Sequence, residues 1–304
     1  MTTASASDAI AADRLWKRFG TRDVVRDVSF RIRPGEIVGM VGPNGAGKTT
    51  SIRMVLNILR PDRGTVTIDG RPLDQQAQEA IGYLPEERGL YRDVRVIPML
   101  QYLGELKGMT RDDARRRADV LLDRLGMTAH RAKQVRELSR GMTQLIAFAG
   151  TILHEPDVIV LDEPFSGLDP VNVRLMKTVV GEQQARGAAT LFSTHQMTDV
   201  EELCDRVIMI DQGTVVLDDL LVDVKRRFRG DRLFMVTDTP PAGDDGVTGI
   251  ERDGGGYSMR LLRNIRPEAV LARLLQRGAR IERFEVEMPS LEDIFLRMVR
   301  DRRG

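Results

Sequence analysis

The sequence predicts an α/β fold: a mostly parallel sheet with both faces covered, followed by a small α+β domain. Three observations carry this prediction. The compact apolar runs "EIVGMVG", "VIVLDEP" and "ATLFSTH" read as buried strands and are separated by segments of helical period. The first of them runs through a Gly-rich turn straight into a helix, "GPNGAGKTTSIRMVLNIL". Past about residue 220 this alternation stops and short half-exposed strands take over. The expected boundaries are a disordered tail over residues 1–12, a main domain over 13–220 with a helical subdomain near 92–153, and an accessory domain over 221–304.

Along the chain, "VVRDVSFRI" alternates like a half-buried strand, and "EIVGMVG" is a buried one. "GTVTIDG" and "IGYLP" add short strands. "PMLQYLGELKG", "RDDARRRADVLLDRLG" and the run after Ser139 form the helical block, with Thr110 and Asp113 placed as a capping box. "VNVRLMKTVVGEQQARG" is the helix between the strands "VIVLDEP" and "ATLFSTH". In the last domain "RLFMVTD" and "YSMRLLR" read as strands around the loop "TPPAGDDGVTG" and a Gly triplet at 254–256. They are followed by the helix "RPEAVLARLLQRG", the strand "IERFEVE" and the helix "SLEDIFLRMV".

Composition excludes several classes of function. With 46 basic and 45 acidic side chains among 304 residues the formal net charge is +1, so no global field recruits nucleic acid or an anionic bilayer. The single cysteine, Cys204, rules out a disulfide framework and fits a reducing compartment. No apolar run reaches the roughly twenty residues that span a bilayer. The chain is therefore expected to be soluble, with any membrane role coming through a partner.

The chemistry is concentrated in three places. "GPNGAGKTT", at Gly42, Pro43, Asn44, Gly45, Ala46, Gly47, Lys48, Thr49 and Thr50, satisfies G-x-x-x-x-G-K-[ST] between a strand and a helix. Small residues let successive N–H groups approach phosphate oxygens, Lys48 supplies charge and Thr49 a hydroxyl for Mg²⁺. Asp162 and Glu163 end a buried strand, where open parallel sheets place ligands. Asp162 suits a divalent metal and Glu163 the activation of a water. His195 ends another strand at the same expected edge, in reach of a terminal phosphate. A second anion-binding turn occurs in "LSRGMTQ", where Ser139 and Gly141 precede a helix; a plain N-cap at Ser139 uses the same N–H groups.

These motifs, in this order, resemble those of ATP-binding cassette ATPases over about residues 12–220: "GPNGAGKTT" the Walker A, "LSRGM" the signature, "VIVLDEP" the Walker B, "SGLDP" the D-loop and His195 the switch histidine. The resemblance implies ATP and Mg²⁺ as cofactors, a P-loop core with an added antiparallel β subdomain, and catalytic roles for Glu163, His195 and Lys48. It implies Phe19 as the aromatic that stacks on adenine, with Trp16 as its rival, and Asp169 in the D-loop; by turn chemistry alone Asp169 is an N-cap followed by Pro170 at N1. It also implies that two cassettes pair head to tail, so that Ser139 and Gly141 serve a partner's nucleotide.

Two departures stand out. Where the family carries a glutamine that ligands Mg²⁺, "YLPEERGLY" has Glu86, so the metal set reads Thr49, Asp162 and Glu86. The signature has Arg140 and Met142 in place of the usual Gly and Gln. With "PSLEDIF" in the last domain, these features resemble free-standing ATP-binding subunits of type-2 exporters for sodium or antibiotics. Such subunits dimerise as homodimers or heterodimers and work on a separate permease, which implies a cytoplasmic chain held peripherally at the inner face of the cell membrane, with the docking groove near residues 86–103. Two other readings compete. A cassette acting on ribosomes or DNA calls for a second cassette, a coiled coil or a basic arm, none of which is legible. A nonhydrolysing regulatory cassette, suggested by Glu86, conflicts with the complete set of Asp162, Glu163 and His195.

Overall fold

The computed structural model describes residues 7–72, 74, 77–78, 80–87 and 89–303. It divides into two compact units, Met1–Leu221 and Val222–Gly304. The centre of the first is a six-stranded sheet in the order β10-β9-β3-β8-β7-β6. Strands β6 (Ile81–Leu84), β7 (Val158–Asp162), β8 (Ala189–Thr194), β3 (Ile37–Val41) and β9 (Arg206–Asp211) run parallel, and β10 (Thr214–Leu220) returns antiparallel on β9. Every residue of β3, β7 and β8 is buried. Burial on both faces is why these strands read as unbroken apolar runs rather than as alternation.

A second, antiparallel sheet, β2-β1-β4-β5, is built from β1 (Ile10–Phe19), β2 (Arg22–Ile32), β4 (Arg63–Ile68) and the short β5 (Arg71–Pro72). One core joins the two sheets through α1 (Lys48–Val55): Ile10, Leu15, Val28 and Ile32 from the antiparallel sheet, Ile52 and Val55 from the helix, and Met40, Val160, Leu191 and Ile208 from the parallel strands. The first strand corrects an expectation. Ala9 and Ile10 are buried and β1 begins at Ile10, inside the span read as a disordered tail; residues 1–6 of that span lie outside the described residues. Three alanines in this stretch hid the strand, because small side chains give little alternation.

The helical part consists of α2 (Val96–Leu106), α3 (Arg111–Arg124) and α4 (Arg140–Ile152), which pack on one another. Thr110 caps α3 by accepting a hydrogen bond from the Asp113 N–H at 3.1 Å, as its spacing predicts. Helices α5 (Pro170–Ala185) and α6 (Met197–Leu203) follow β7 and β8, and α6 lies against β3 and β8. Cys204, just past α6, is half-buried, and burial pushes its thiol well up. No helix among the described residues is long and apolar enough to cross a membrane.

After α7 (Leu221–Arg227), the second unit holds the antiparallel sheet β12-β13-β11-β14, made of β11 (Arg232–Thr237), β12 (Val247–Asp253), β13 (Gly256–Leu261) and β14 (Ile281–Val286). Helix α8 (Pro267–Gln276) sets Val270 and Leu274 in a core with Leu233, Met235 and Met259, and α9 (Leu291–Arg303) closes the chain. Strand β12 begins inside the region read as a loop. Only Val247 is buried and Ile250 half-buried along it, so its apolar signal is weak, and the chain turns into β13 through Gly254 and Gly255 at φ 52° and 86°.

His154, just beyond α4, has both ring nitrogens buried with no hydrogen-bond partner among the described residues. Burial, with the charges of Lys107 and Arg186, pushes its pKa from 6.5 down to about 4. Between those values the unfolded chain binds a proton that the folded chain refuses, so this contribution to stability is complete above pH 6.5 and is lost as pH falls toward 4. The thermal midpoint is therefore expected to drop between pH 7 and pH 5, and His154→Leu to flatten that dependence; an unchanged slope by circular dichroism would contradict the assignment.

Candidate nucleotide site

The parallel strands end together. Val41 of β3 pairs with Thr194 of β8, and Asp162 of β7 with Ser193 of β8, so the loop after β3, the acids after β7 and the histidine after β8 emerge at one sheet edge. The loop of residues 42–50 wraps the ammonium of its own lysine: Lys48 Nζ donates to the Gly42 carbonyl at 2.7 Å and the Pro43 carbonyl at 3.3 Å. Gly47, at φ 107°, opens α1 with no side-chain cap, and the first-turn N–H groups of Lys48, Thr49 and Thr50 have no acceptor within the helix. The loop admits no bulk at its root, since a Cβ on Gly42 would stand 2.1 Å from the Ile210 carbonyl oxygen. Burial pushes the Lys48 ammonium down, opposed by the charges of Glu163, Asp162 and Glu86.

Asp162 is 1% exposed. Its Oδ1 accepts from Ser193 Oγ and, at 3.3 Å, from Thr49 Oγ1, while Oδ2 is buried with no partner among the described residues. An orphaned carboxylate oxygen beside a threonine hydroxyl is donor chemistry for a hard divalent cation. The residues present therefore fit Mg²⁺ and a polyphosphate. Glu86 is exposed in the bend after β6; no hydrogen bond among the described residues joins it to Thr49 or Asp162, and they include no cluster of three or more metal-ligating acids, histidines or cysteines.

Glu163 stands at φ 50°, which turns its side chain out of the strand. Its N–H is held by the Ser193 carbonyl at 3.2 Å and Ser193 Oγ at 3.1 Å, and its Oε2 lies 3.0 Å from His195 Nδ1. Burial raises the carboxyl above its ordinary range, while the histidine contact and Lys48 pull it back. The site thus presents a half-buried carboxylate held by an imidazole that is itself 51% exposed on its side chain.

The remaining residues singled out in the sequence fall into two groups. Phe19 ends β1 with half its surface exposed and Trp16 is half-buried; each ring has a cation near one face, Lys17 Nζ at 5.9 Å from the Phe19 centroid and the Arg63 guanidinium at 6.0 Å from that of Trp16, so exposure alone favours Phe19 as the ring that could stack on a base. Ser139 caps α4, accepting from the Met142 N–H at 3.2 Å, which leaves its hydroxyl hydrogen for a further acceptor. Gly141 neighbours Leu168 and Gly167, and Arg140 packs over Gly167, so the signature and D-loop of one chain touch. Asp169 caps α5: Oδ1 accepts from the Val171 and Asn172 N–H groups at 3.0 Å, and Oδ2 from the Asn172 side chain. Its carboxylate is engaged locally, as its place before Pro170 suggests.

Two contributors were not legible in the sequence. Ser193 lies within the apolar run "ATLFST", and only the strand register shows that it faces Asp162. Gln144, 1% exposed on α4, donates to the Pro164 carbonyl at 2.7 Å, tying the signature helix to the residue after Glu163. Ser193→Ala removes one of the two donors to Asp162 Oδ1 and is expected to raise the Mg²⁺ concentration for half-maximal ATP hydrolysis by about tenfold or more. An unchanged Mg²⁺ titration would remove Ser193 from the site.

Comparison with known proteins gives the family. A family model described as "ABC transporter" matches residues 25–166, and one described as "ATP-binding protein DrrA1-3-like, C-terminal domain" matches residues 221–299. The chain is 37% identical to the ABC transporter ATP-binding protein YhaQ of Bacillus subtilis, covering 95% of this chain and 98% of that one. It is 32% identical to the Nod factor export ATP-binding protein I of Paraburkholderia xenovorans, covering 95% and 96%. It is 31% identical to the linearmycin resistance ATP-binding protein LnrL of B. subtilis, covering 75% and 74%. A solved ATP-binding subunit of an ABC transporter superposes with a TM-score of 0.68 at 30% identity, covering 72% of this chain and 93% of that one. The chain belongs to the ATP-binding proteins of ABC transporters, a family that binds ATP, generally with Mg²⁺, and hydrolyses it.

Proposed function

We propose that this chain is the ATP-hydrolysing subunit of an exporter, working as a pair of cassettes that close on two ATP molecules and drive a separate transmembrane permease. The observation that carries the hydrolytic reading is the contact of Glu163 with His195 beside the orphaned Asp162 oxygen, at the mouth of the phosphate loop. Lys48 and the backbone N–H groups of the loop after Pro43 bind the β- and γ-phosphates. Thr49 Oγ1 and Asp162 hold Mg²⁺, which supplies charge neutralisation at the phosphates; Glu86 is the third residue proposed for this set. Glu163 accepts the proton of the attacking water, and His195 orients Glu163 through Nδ1–H; with both ring nitrogens protonated, its Nε2–H is left to donate to the γ-phosphate. The intact pair argues against a nonhydrolysing cassette.

Ser139 and Gly141 are proposed to close on the nucleotide of the other cassette, and Phe19 to stack on adenine. Export is supported by relatives named for Nod factor export and linearmycin resistance. The permease is proposed to dock in an apolar groove of about 400 Å³ lined by Tyr91, Val94, Met99 and Tyr102, where the two tyrosine rings meet edge to face 6.0 Å apart. Both tyrosines are exposed, and the first groove residue, Tyr91, comes five positions after Glu86 in the sequence. Docking there would hold the chain at the inner face of the cell membrane.

Glu163→Gln is expected to preserve ATP binding and to lower turnover by about 100-fold or more. A phosphate-release assay showing undiminished hydrolysis would exclude Glu163 as the base. Ser139→Arg is expected to leave nucleotide binding by the isolated chain intact and to prevent ATP-dependent dimerisation. Light scattering that shows the variant dimerising on ATP would overturn the role given to the signature.

A further inference from the structure

We propose that Lys177 is the positioning residue that holds Glu163 and His195 in register, an inference that rests on the hydrolytic reading above. Lys177 lies mid-way along α5, outside every motif named so far. Its Nζ is 2.7 Å from Asp199 Oδ1 and 2.7 Å from Glu202 Oε2, both on α6, and 5.3 Å from the centroid of the Phe165 ring. The side chains of Lys177 and Asp199 are only 11% and 8% exposed, while Glu202 is mostly in solvent.

The location of these contacts gives them meaning. Phe165 lies two residues after Glu163 on the segment leaving β7, and Asp199 lies four residues after His195 in the first turn of α6. One ammonium therefore touches the chain running out of each member of the pair. Phe165 also meets Phe192 of β8 edge to face at 5.7 Å, and Pro164 is held by Gln144 from α4. The Glu163 side is thus braced from three directions. The helix after His195 is short, spanning Met197–Leu203, and the buried ion pair at Asp199 ties its first turn to α5. Asp199 Oδ2 is buried with no partner among the described residues, so Lys177 is the cation that balances this carboxylate. A lysine suits both tasks: a compact ammonium reaches two carboxylates and also sits over an aromatic face. With Lys177 gone, α6 and the His195 turn lose their tie to the Glu163 segment, and the 3.0 Å contact is no longer fixed.

Steady-state ATP hydrolysis and equilibrium ATP binding by the full chain test this. Lys177→Met is expected to lower kcat by about 10- to 100-fold with KM and ATP affinity changed by less than about twofold. Lys177→Arg, which keeps a cation facing Asp199, recovers most of the turnover. In a His195→Ala background, Lys177→Met costs less than about twofold more, because the contact it serves is already absent. An equal fold-loss in both backgrounds, an effect confined to ATP affinity, or unchanged kcat would overturn the proposal. If Lys177→Met does not fold, the paired variant Lys177→Met with Asp199→Leu, which leaves no charge buried alone at that position, carries the same measurements with the same outcomes. A wild-type chain that fails to hydrolyse ATP would defeat the hydrolytic reading itself, and so is distinguished from failure of the Lys177 proposal.

Discussion

The hydroxyl of Ser193 stands between the two acids, and the site depends on it. It donates to Asp162 Oδ1 and accepts the N–H of Glu163 at 3.1 Å, because β7 and β8 pair in a register that sets Asp162 opposite Ser193. Holding one oxygen of Asp162 leaves the other buried and unsatisfied, which gives the residue the donor chemistry of a metal ligand rather than that of a surface acid. Fixing the Glu163 N–H supports a left-handed backbone at φ 50°, a conformation that costs a non-glycine residue roughly 1–2 kcal/mol. That N–H makes one bifurcated hydrogen bond, shared between the Ser193 carbonyl and hydroxyl oxygens, and its usual net worth of about 1 kcal/mol offsets part of the strain. Without the turn, the Glu163 carboxylate would follow the strand instead of reaching His195.

Electrostatics follow from the same geometry. Lys48, buried and pushed down, is satisfied by two carbonyls of its own loop. A phosphate oxygen offers it a full charge where those carbonyls offer dipoles, so binding replaces weaker partners with a stronger one. The uncapped first turn of α1 adds N–H groups aimed at the same place. The second anion turn, at Ser139, is built differently. Its serine is already used as a cap, it stands exposed, and its neighbours belong to the D-loop of the same chain. A chain with one phosphate loop rooted in the sheet and one exposed half-site has the form expected of a cassette completed by a second cassette.

Much of this was legible in the sequence, for physical reasons that differ by element. The strands buried on both faces announced themselves as apolar runs, and the phosphate loop by the small residues its backbone approach demands. The acids and His195 were legible because parallel strands deliver their ends to a common edge. What stayed hidden depended on pairing. Ser193 and Lys177 look like an ordinary strand serine and a surface helix lysine until register and packing place them against Asp162 and Asp199. The start of β1 and the exposed strand β12 were missed because alanines and solvent-facing residues weaken alternation. At Asp169 turn chemistry alone made the local role legible, since its carboxylate caps α5 just before Pro170.

The claim that most needs a direct test is that each ATP is hydrolysed in a site shared between two chains. Mixing two inactive variants measures it: Lys48→Ala, which loses the phosphate loop but keeps its signature, and Gly141→Asp, which loses the signature but keeps its loop. Each alone is expected to be inactive. Together they form mixed pairs with one complete composite site, so ATP hydrolysis should reappear on mixing and should depend on the concentration of both chains. A mixture as inactive as its components, with mixed pairs shown to form on ATP, would contradict the shared site and the reading of the whole sheet edge built on it.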